Sequence, residues 1–209
     1  MDATRGGFEL PTNSNTVTHY PTDHFSTSTT QTIIEEEDQL AATQSVTFEH
    51  TGIEVLKIDK TLFVIERDRQ ANANDSAPVE VCDGAIATEK PTQFIGYVEL
   101  KSKCSQNEVI KARSQIMASY HHMLSMAQTC SFALSDFVQK GIIVTQPVTD
   151  ETLTKARQRR KRDDDMSVTY SSARFLLKLI AGEAKDESTG IRFLYVAAGT
   201  VRLSDLLKV

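Results

Sequence analysis

Tryptophan is absent from this 209-residue chain, and no ladder of other aromatic side chains replaces it. The stacking platform of a single-strand nucleic-acid binder is therefore excluded. No run of about eighteen apolar residues occurs, so a membrane-spanning helix is not expected and a membrane is not among the partners. Met1 to Gly7 is not followed by an apolar stretch, so no signal-peptide pattern is present. There is no Walker motif and no G-x-G-x-x-G, and nucleotide-driven translocation would have to come from another protein. Cysteine is sparse: Cys82, Cys104 and Cys130 are odd in number and lack C-x-x-C spacing. They fit buried thiols in a reducing, intracellular and cytoplasmic setting better than a disulfide framework. Positive charge is not in excess either, with 23 Lys and Arg against 28 Asp and Glu and a net charge of -5. That excludes a protein that coats nucleic acid through its overall charge. A catalytic groove needs only local positive potential, and carboxylates that hold metal raise the acidic count.

What is present has the size of one domain with a tail. Residues 1–32 are rich in Ser, Thr and Asn and poor in large aliphatics, which predicts a flexible arm. Thr32 to Ala41, with Thr32 as N-cap and an acidic first turn, predicts a short helix. Alternation then predicts strands over Ser45–Glu49, Glu54–Ile58, Leu62–Glu66 and Val79–Ala87, with a loop over Ala71–Pro78. Phe94–Lys101 predicts a strong strand. Val109, Ala112, Ile116, Tyr120, Met123 and Ala127 recur at steps of three and four and predict one long helix. Gly141–Thr145 predicts a buried strand, Ala173–Ala181 a helix, Ile191–Ala197 a strand and Leu203–Leu207 a short terminal helix. No internal repeat is present. The expected architecture is a mixed α/β domain over residues 40–209, a central sheet flanked by helices.

The chemistry concentrates around residues 83 to 101. Asp83 sits in an otherwise apolar segment, Val81-Cys82-Asp83-Gly84-Ala85-Ile86. An unpaired carboxylate is costly to bury, which makes this aspartate informative. Glu99 and Lys101 end the strand Ile95-Gly96-Tyr97-Val98-Glu99-Leu100-Lys101, and strand alternation points both one way and Leu100 the other. If the two strands are neighbours, Asp83, Glu99 and Lys101 converge. Two carboxylates suit Mg²⁺ or Mn²⁺, which keep waters and phosphate oxygens in their shells. A lysine beside such a water can help deprotonate it or stabilise developing charge. An E-x-K on a strand is also what one solvated face of a sheet presents, and a surface ion pair there is worth little.

The order of strand with Asp83, strand with Glu99-Leu100-Lys101, and long helix resembles the PD-(D/E)XK nuclease superfamily. Val98-Glu99-Leu100-Lys101 is similar to members reading V-E-L-K, with a glutamine on the following helix where this chain has Gln115. Cys82 stands where the family name has proline, and Tyr120 follows Gln115 one residue later than in the Q-x-x-x-Y form. The resemblance spans residues 45 to 145. It implies a restriction-endonuclease-like fold and divalent-metal-dependent hydrolysis of phosphodiesters, in DNA above all. Asp83, Glu99 and the Leu100 carbonyl would hold Mg²⁺ or Mn²⁺, Lys101 would position or activate the attacking water, and Gln115 would steady Lys101 or the scissile phosphate. Glu36 or Glu37 would be a further upstream carboxylate, or else part of a solvated acidic helix face. The alternative is a nucleic-acid-binding or structural interaction protein that keeps the fold without turnover.

Two further clusters bear on partners. Lys111, Gln115, Ser119 and His122 fall at steps of four and three on the long helix, as a DNA-facing edge or a plain solvated face would have them. The run holding Lys155, Arg157, Arg159, Arg160, Lys161 and Arg162 concentrates positive charge ahead of Asp163-Asp164-Asp165. Arginines at this density bind phosphates, so Lys111, Arg157, Arg159, Arg160 and Arg162 are the candidate nucleic-acid contacts. The same run also fits a mobile loop over substrate or a localisation signal. His121 and His122 with Cys104 or Cys130 lack the spacing of a zinc site. Assembly as a homo-oligomer or within a larger complex is left open.

Overall fold

The computed structural model describes residues 25–34, 45–51, 55–63, 80–89, 92–129, 133–168 and 171–208. Its strands are β1 (Phe25–Ser28), β2 (Thr30–Ile34), β3 (Ser45–Glu49), β4 (Val55–Asp59), β5 (Gly84–Thr88), β6 (Phe94–Lys101), β7 (Val138–Thr145), β8 (Arg192–Ala197) and β9 (Thr200–Arg202). Its α-helices are α1 (Gln106–Thr129), α2 (Asp150–Asp165), α3 (Ser172–Ile180) and α4 (Leu203–Leu207). Six strands form one sheet in the order β1-β4-β5-β6-β7-β8, and β2-β3-β9 form a second. The pairs β1–β4, β4–β5 and β5–β6 are antiparallel, whereas β6–β7 and β7–β8 are parallel. The mixed α/β architecture with a mixed sheet flanked by helices is thus as the periodicities predict.

The large sheet is covered on both faces. One face packs Ala85, Ile95, Tyr97, Ile143 and Phe193 against α1 (Val109, Ala112, Ile116) and α3 (Phe175, Leu176, Leu179). The other packs Ile86, Val98, Leu100, Ile142 and Val144 against Ile33, Val46 and Phe48 of the small sheet and Leu203 and Leu206 of α4. A strand enclosed in this way reads as a continuous apolar run, and all eight residues of β6 are buried. Glu99 and Lys101 break that run on the helix-covered face, sharing parity with Ile95 and Tyr97. The helix layer lies close. A Cβ on Gly141 would meet the Phe193 ring at 2.6 Å and Ile116 Cγ2 at 3.0 Å, so only glycine lets β7 pass there.

Several expectations need correction. The arm does not run to residue 32. Phe25–Ser28 pairs with β4 and Thr30–Ile34 with β3, so the folded unit begins before residue 40. Ser and Thr there serve as outward positions of strands. Ile33 is fully buried, and buried Gln31 donates through Nε2 to the Val55 carbonyl at 2.8 Å. Residues 1–24 lie outside the described residues. Thr32 is a strand residue rather than a helix cap, because Ile33 finds Val46 across the small sheet; positions 35–41, with Glu36 and Glu37, lie outside the described residues. In place of a strand beginning at Leu62 there is a 3-10 turn, Lys60–Phe63. The Asp59 carboxylate starts it by accepting Thr61 N at 2.9 Å and Thr61 Oγ1 at 2.7 Å; residues 64–66 lie outside the described residues. β5 starts at Gly84, one residue after Asp83. The basic segment is no loop but helix α2, whose N-cap Thr149 accepts Thr152 N. Among the described residues no helix is long and apolar enough to cross a membrane.

Candidate active site

The β5–β6 ladder ends at the pair Gly84 and Val98, and just beyond it side chains take over the hydrogen bonding. Asp83 Oδ2 accepts the Leu100 N–H at 2.7 Å, and the Asp83 N–H donates in return to Glu99 Oε2 at 3.1 Å. Glu99 Oε1 accepts from Lys101 Nζ at 2.6 Å. The strand ends therefore bring Asp83, Glu99 and Lys101 to one place, with Leu100 turned to the opposite face. Glu99 is 1% exposed and Lys101 7% exposed, while Asp83 is half-buried. A plain solvated E-x-K face is ruled out by that burial.

Electrostatics at the site favour neutralisation of Glu99. Burial raises its carboxyl most, the Asp83 charge adds to that, and the Lys101 ammonium and Asp83 amide oppose both; the balance is a value pushed up to about 8. Neighbouring Cys82 is no nucleophile. Its buried thiol donates to the Gly84 carbonyl at 3.2 Å, and burial pushes it up to about 12.

Helix α1 holds the segment leading into Asp83. Lys111 Nζ pairs with the Glu80 carboxylate at 3.1 Å, Gln115 Nε2 reaches the Val81 carbonyl at 3.4 Å, and Ser119 Oγ accepts the Cys82 N–H at 2.9 Å. Successive turns of the helix thus contact three successive residues. The polar row that reads from sequence as a DNA-facing edge or a solvated face instead grips this loop. His122 continues it with its ring edge-on to Phe63. Gln115 directs its amide group to the loop rather than to Lys101, and its buried Oε1 has no hydrogen-bond partner among the described residues. Ser119 is the site residue that the apolar stripe conceals: it is fully buried, and Tyr120, assigned to the stripe, is half-buried beside it. Its four-residue spacing from Gln115 is the signal in the sequence that points to it.

The basic residues lie on α2, away from this row. Arg157, Arg159, Arg160, Lys161 and Arg162 are all exposed. Arg159 pairs with Asp163 at 3.2 Å and Arg160 with Asp164 at 3.7 Å, and Asp164 is also bound by Arg174. Asp163 and Asp164 therefore partly offset Arg159 and Arg160, whereas Arg157, Lys161 and Arg162 make no ion pair among the described residues.

Among the described residues no group of three or more His, Cys, Asp or Glu side chains is placed to hold a metal ion. Asp83 and Glu99 supply two carboxyl groups side by side, and the cost of ionising Glu99 beside Asp83 is what a divalent cation would relieve. This donor set suits Mg²⁺ or Mn²⁺, which accept one or two carboxylates and complete their shells with backbone carbonyls, water and substrate oxygens. No family model, curated protein or solved structure matches the chain.

Proposed function

We propose that this protein is a divalent-metal-dependent nuclease of the PD-(D/E)XK type that hydrolyses phosphodiester bonds in DNA. The observation that carries the reading is the hydrogen-bonded convergence of Asp83, Glu99 and Lys101 at the end of β6. Support for a restriction-endonuclease-like fold comes from the element order, in which the strand after Asp83, the strand with Glu99-Leu100-Lys101 and a long helix follow one another.

Asp83 and Glu99, with the Leu100 carbonyl, would hold Mg²⁺ or Mn²⁺, which supplies Lewis acidity toward a phosphodiester oxygen and lowers the pKa of a bound water. Lys101 stands against Glu99, its Nζ on Glu99 Oε1 at 2.6 Å. From there its ammonium orients the attacking water and stabilises charge gathering on the phosphate. Glu99 accepts from Lys101 and from the Asp83 amide at once, which fixes its carboxyl group before substrate arrives. Burial excludes bulk water from Lys101 and Glu99 and so strengthens each interaction. Arg157, Lys161 and Arg162 on α2 give the acidic chain local positive charge for phosphates.

Incubation of the purified protein with plasmid and linear DNA in Mg²⁺, Mn²⁺ or chelator tests the reading. Cleavage is expected with either metal and not with chelator. Loss of cleavage in Glu99→Gln and in Lys101→Ala, with the fold retained, assigns it to this site. A wild-type protein inert under every condition, or variants that cut normally, would overturn the proposal.

A further inference from the structure

We infer that Ser119 is a positioning residue for Asp83: by accepting the Cys82 N–H it fixes the residue before the aspartate, and with it the carboxylate that caps Leu100. The inference rests on the nuclease reading for its consequence and on the hydrogen bonds for its geometry.

The residue before Asp83 is cysteine, so the chain carries at this point an N–H that a proline would lack. Cys82 is fully buried, and a buried N–H without an acceptor is destabilising. No strand partner takes it, since β5 begins only at Gly84. Ser119 Oγ does, at 2.9 Å, from the middle of a 24-residue helix and from a side chain with no exposed surface. Gln115, one turn earlier on the same helix, reaches the preceding carbonyl of Val81. Both polar atoms of the peptide group that joins Val81 to Cys82 are thereby referred to one rigid element. Asp83 follows directly, its side chain on Leu100 N and its amide on Glu99 Oε2. Removing the Ser119 acceptor frees the loop to rotate at Cys82, and the first bond to loosen is the one from Leu100 N to the Asp83 carboxylate.

The Leu100 amide therefore reports the position of Asp83 without metal or turnover. In Ser119→Ala its hydrogen exchange should quicken roughly tenfold, the equivalent of about one hydrogen bond, while Gly96 and Val98 in the same strand keep their protection. Ser119→Thr, which retains the hydroxyl, should restore slow exchange. Calorimetry with Mn²⁺ alone supplies the functional readout: Ser119→Ala should weaken binding about 10- to 100-fold, as loss of a residue that orients a ligand does. An unchanged Leu100 amide in Ser119→Ala, with Mn²⁺ still bound by the wild-type chain, overturns the inference and leaves the nuclease reading standing. A faster Leu100 amide in a chain that binds no Mn²⁺ retires the nuclease reading and keeps the positioning role. If every amide loses protection together in both Ser119→Ala and Ser119→Cys, the serine is a packing residue and the inference is overturned.

Discussion

Glutamine in place of Glu99 removes a charge that destabilises the fold, so the two proteins should diverge in stability as the pH rises. The wild-type carboxyl stands at about 8 in the folded protein against an ordinary 4.5, chiefly through burial and then through the Asp83 charge. Between those values the folded state keeps the proton and the unfolded state has released it. Stability from the neutral acid is therefore fully present below about 4.5 and is lost as the pH climbs through about 8. The loss runs at about 1.4 kcal/mol per pH unit, which makes it about 3 kcal/mol at neutrality and about 5 kcal/mol once Glu99 is ionised. Glutamine has no such titration. Its amide nitrogen must face one of the two donors that the carboxylate accepts, a penalty of about 1–3 kcal/mol that does not vary with pH. Urea unfolding of both proteins in chelator, from about pH 5 to about pH 8, gives the difference directly. The variant should gain about 4 kcal/mol on the wild type across that range. Saturating Mn²⁺ should then narrow the gap by stabilising only the wild type, about 2.7 kcal/mol at a hundredfold excess over Kd. A difference that stays constant with pH would refute the buried, destabilised carboxylate on which the site rests.

Lys101→Met should end cleavage while Mn²⁺ binding measured by calorimetry persists, because both proposed carboxylate ligands remain; loss of Mn²⁺ binding would make Lys101 a structural partner of Glu99 instead. Ile33→Ala should lower stability by about 2–5 kcal/mol in urea unfolding, as a fully buried aliphatic does; an effect under about 0.5 kcal/mol, the range of surface substitutions, would return this segment to a flexible arm. Replacing Arg157, Lys161 and Arg162 together by Ala should reduce the slope of log affinity against log salt for duplex DNA by about 0.9 for each phosphate no longer neutralised, with Ca²⁺ in place of Mg²⁺ to prevent cutting. Arg159→Ala and Arg160→Ala, whose charges face Asp163 and Asp164, should leave that slope nearly unchanged, and equal effects from both sets would contradict the division.

Much of the sheet was legible because its strands carry one of two plain signals. Strand β6 is a long apolar run, and β3 alternates in the sequence Ser45-Val46-Thr47-Phe48-Glu49, where Val46 and Phe48 are the buried positions. Helix α1 was legible from its stripe. The N-terminal strands were not, because Ser26-Thr27-Ser28 and Thr30-Gln31-Thr32-Ile33-Ile34 hold few large side chains, and their polar outward positions read as solvated chain. A buried Gln31 that bonds to backbone carbonyls gives no hydrophobic signal at all. The 3-10 turn after β4 was missed for a different reason: the Asp59 side chain overrides the strand propensity of the residues after it. In α2 the density of like charge hid a helix held by bonds from Arg159 to Asp163 and Arg160 to Asp164, four residues on.

At the candidate site, sequence supplied the three converging residues, and structure supplied the reason to single them out. An exposed Glu-x-Lys on a strand is common and perturbs little, and apolar residues at 99 and 101 would complete the strand with less desolvation. This chain has neither. Glu99 and Lys101 occupy two enclosed positions of a strand buried along its whole length, with Asp83 adding a second carboxylate whose charge opposes the first. The Glu99–Lys101 pair does not offset that arrangement in stability, since the Glu99 carboxyl is raised despite it. The other charge buried among the described residues of this sheet, Lys140 of β7, is satisfied by the Leu206 carbonyl at 2.6 Å. At residues 83, 99 and 101, by contrast, three ionisable groups meet, and a local rule broken in this way is what the proposed function accounts for. The helix behind it follows the same logic. Lys111, Gln115 and Ser119 commit polar side chains to the backbone of Val81 and Cys82 and to Glu80, on the face of α1 where apolar packing would serve stability alone. Their common effect is to hold Asp83 where Leu100 and Glu99 meet it. Without a cation to accept, a carboxylate so carefully held beside another is only a destabilising charge.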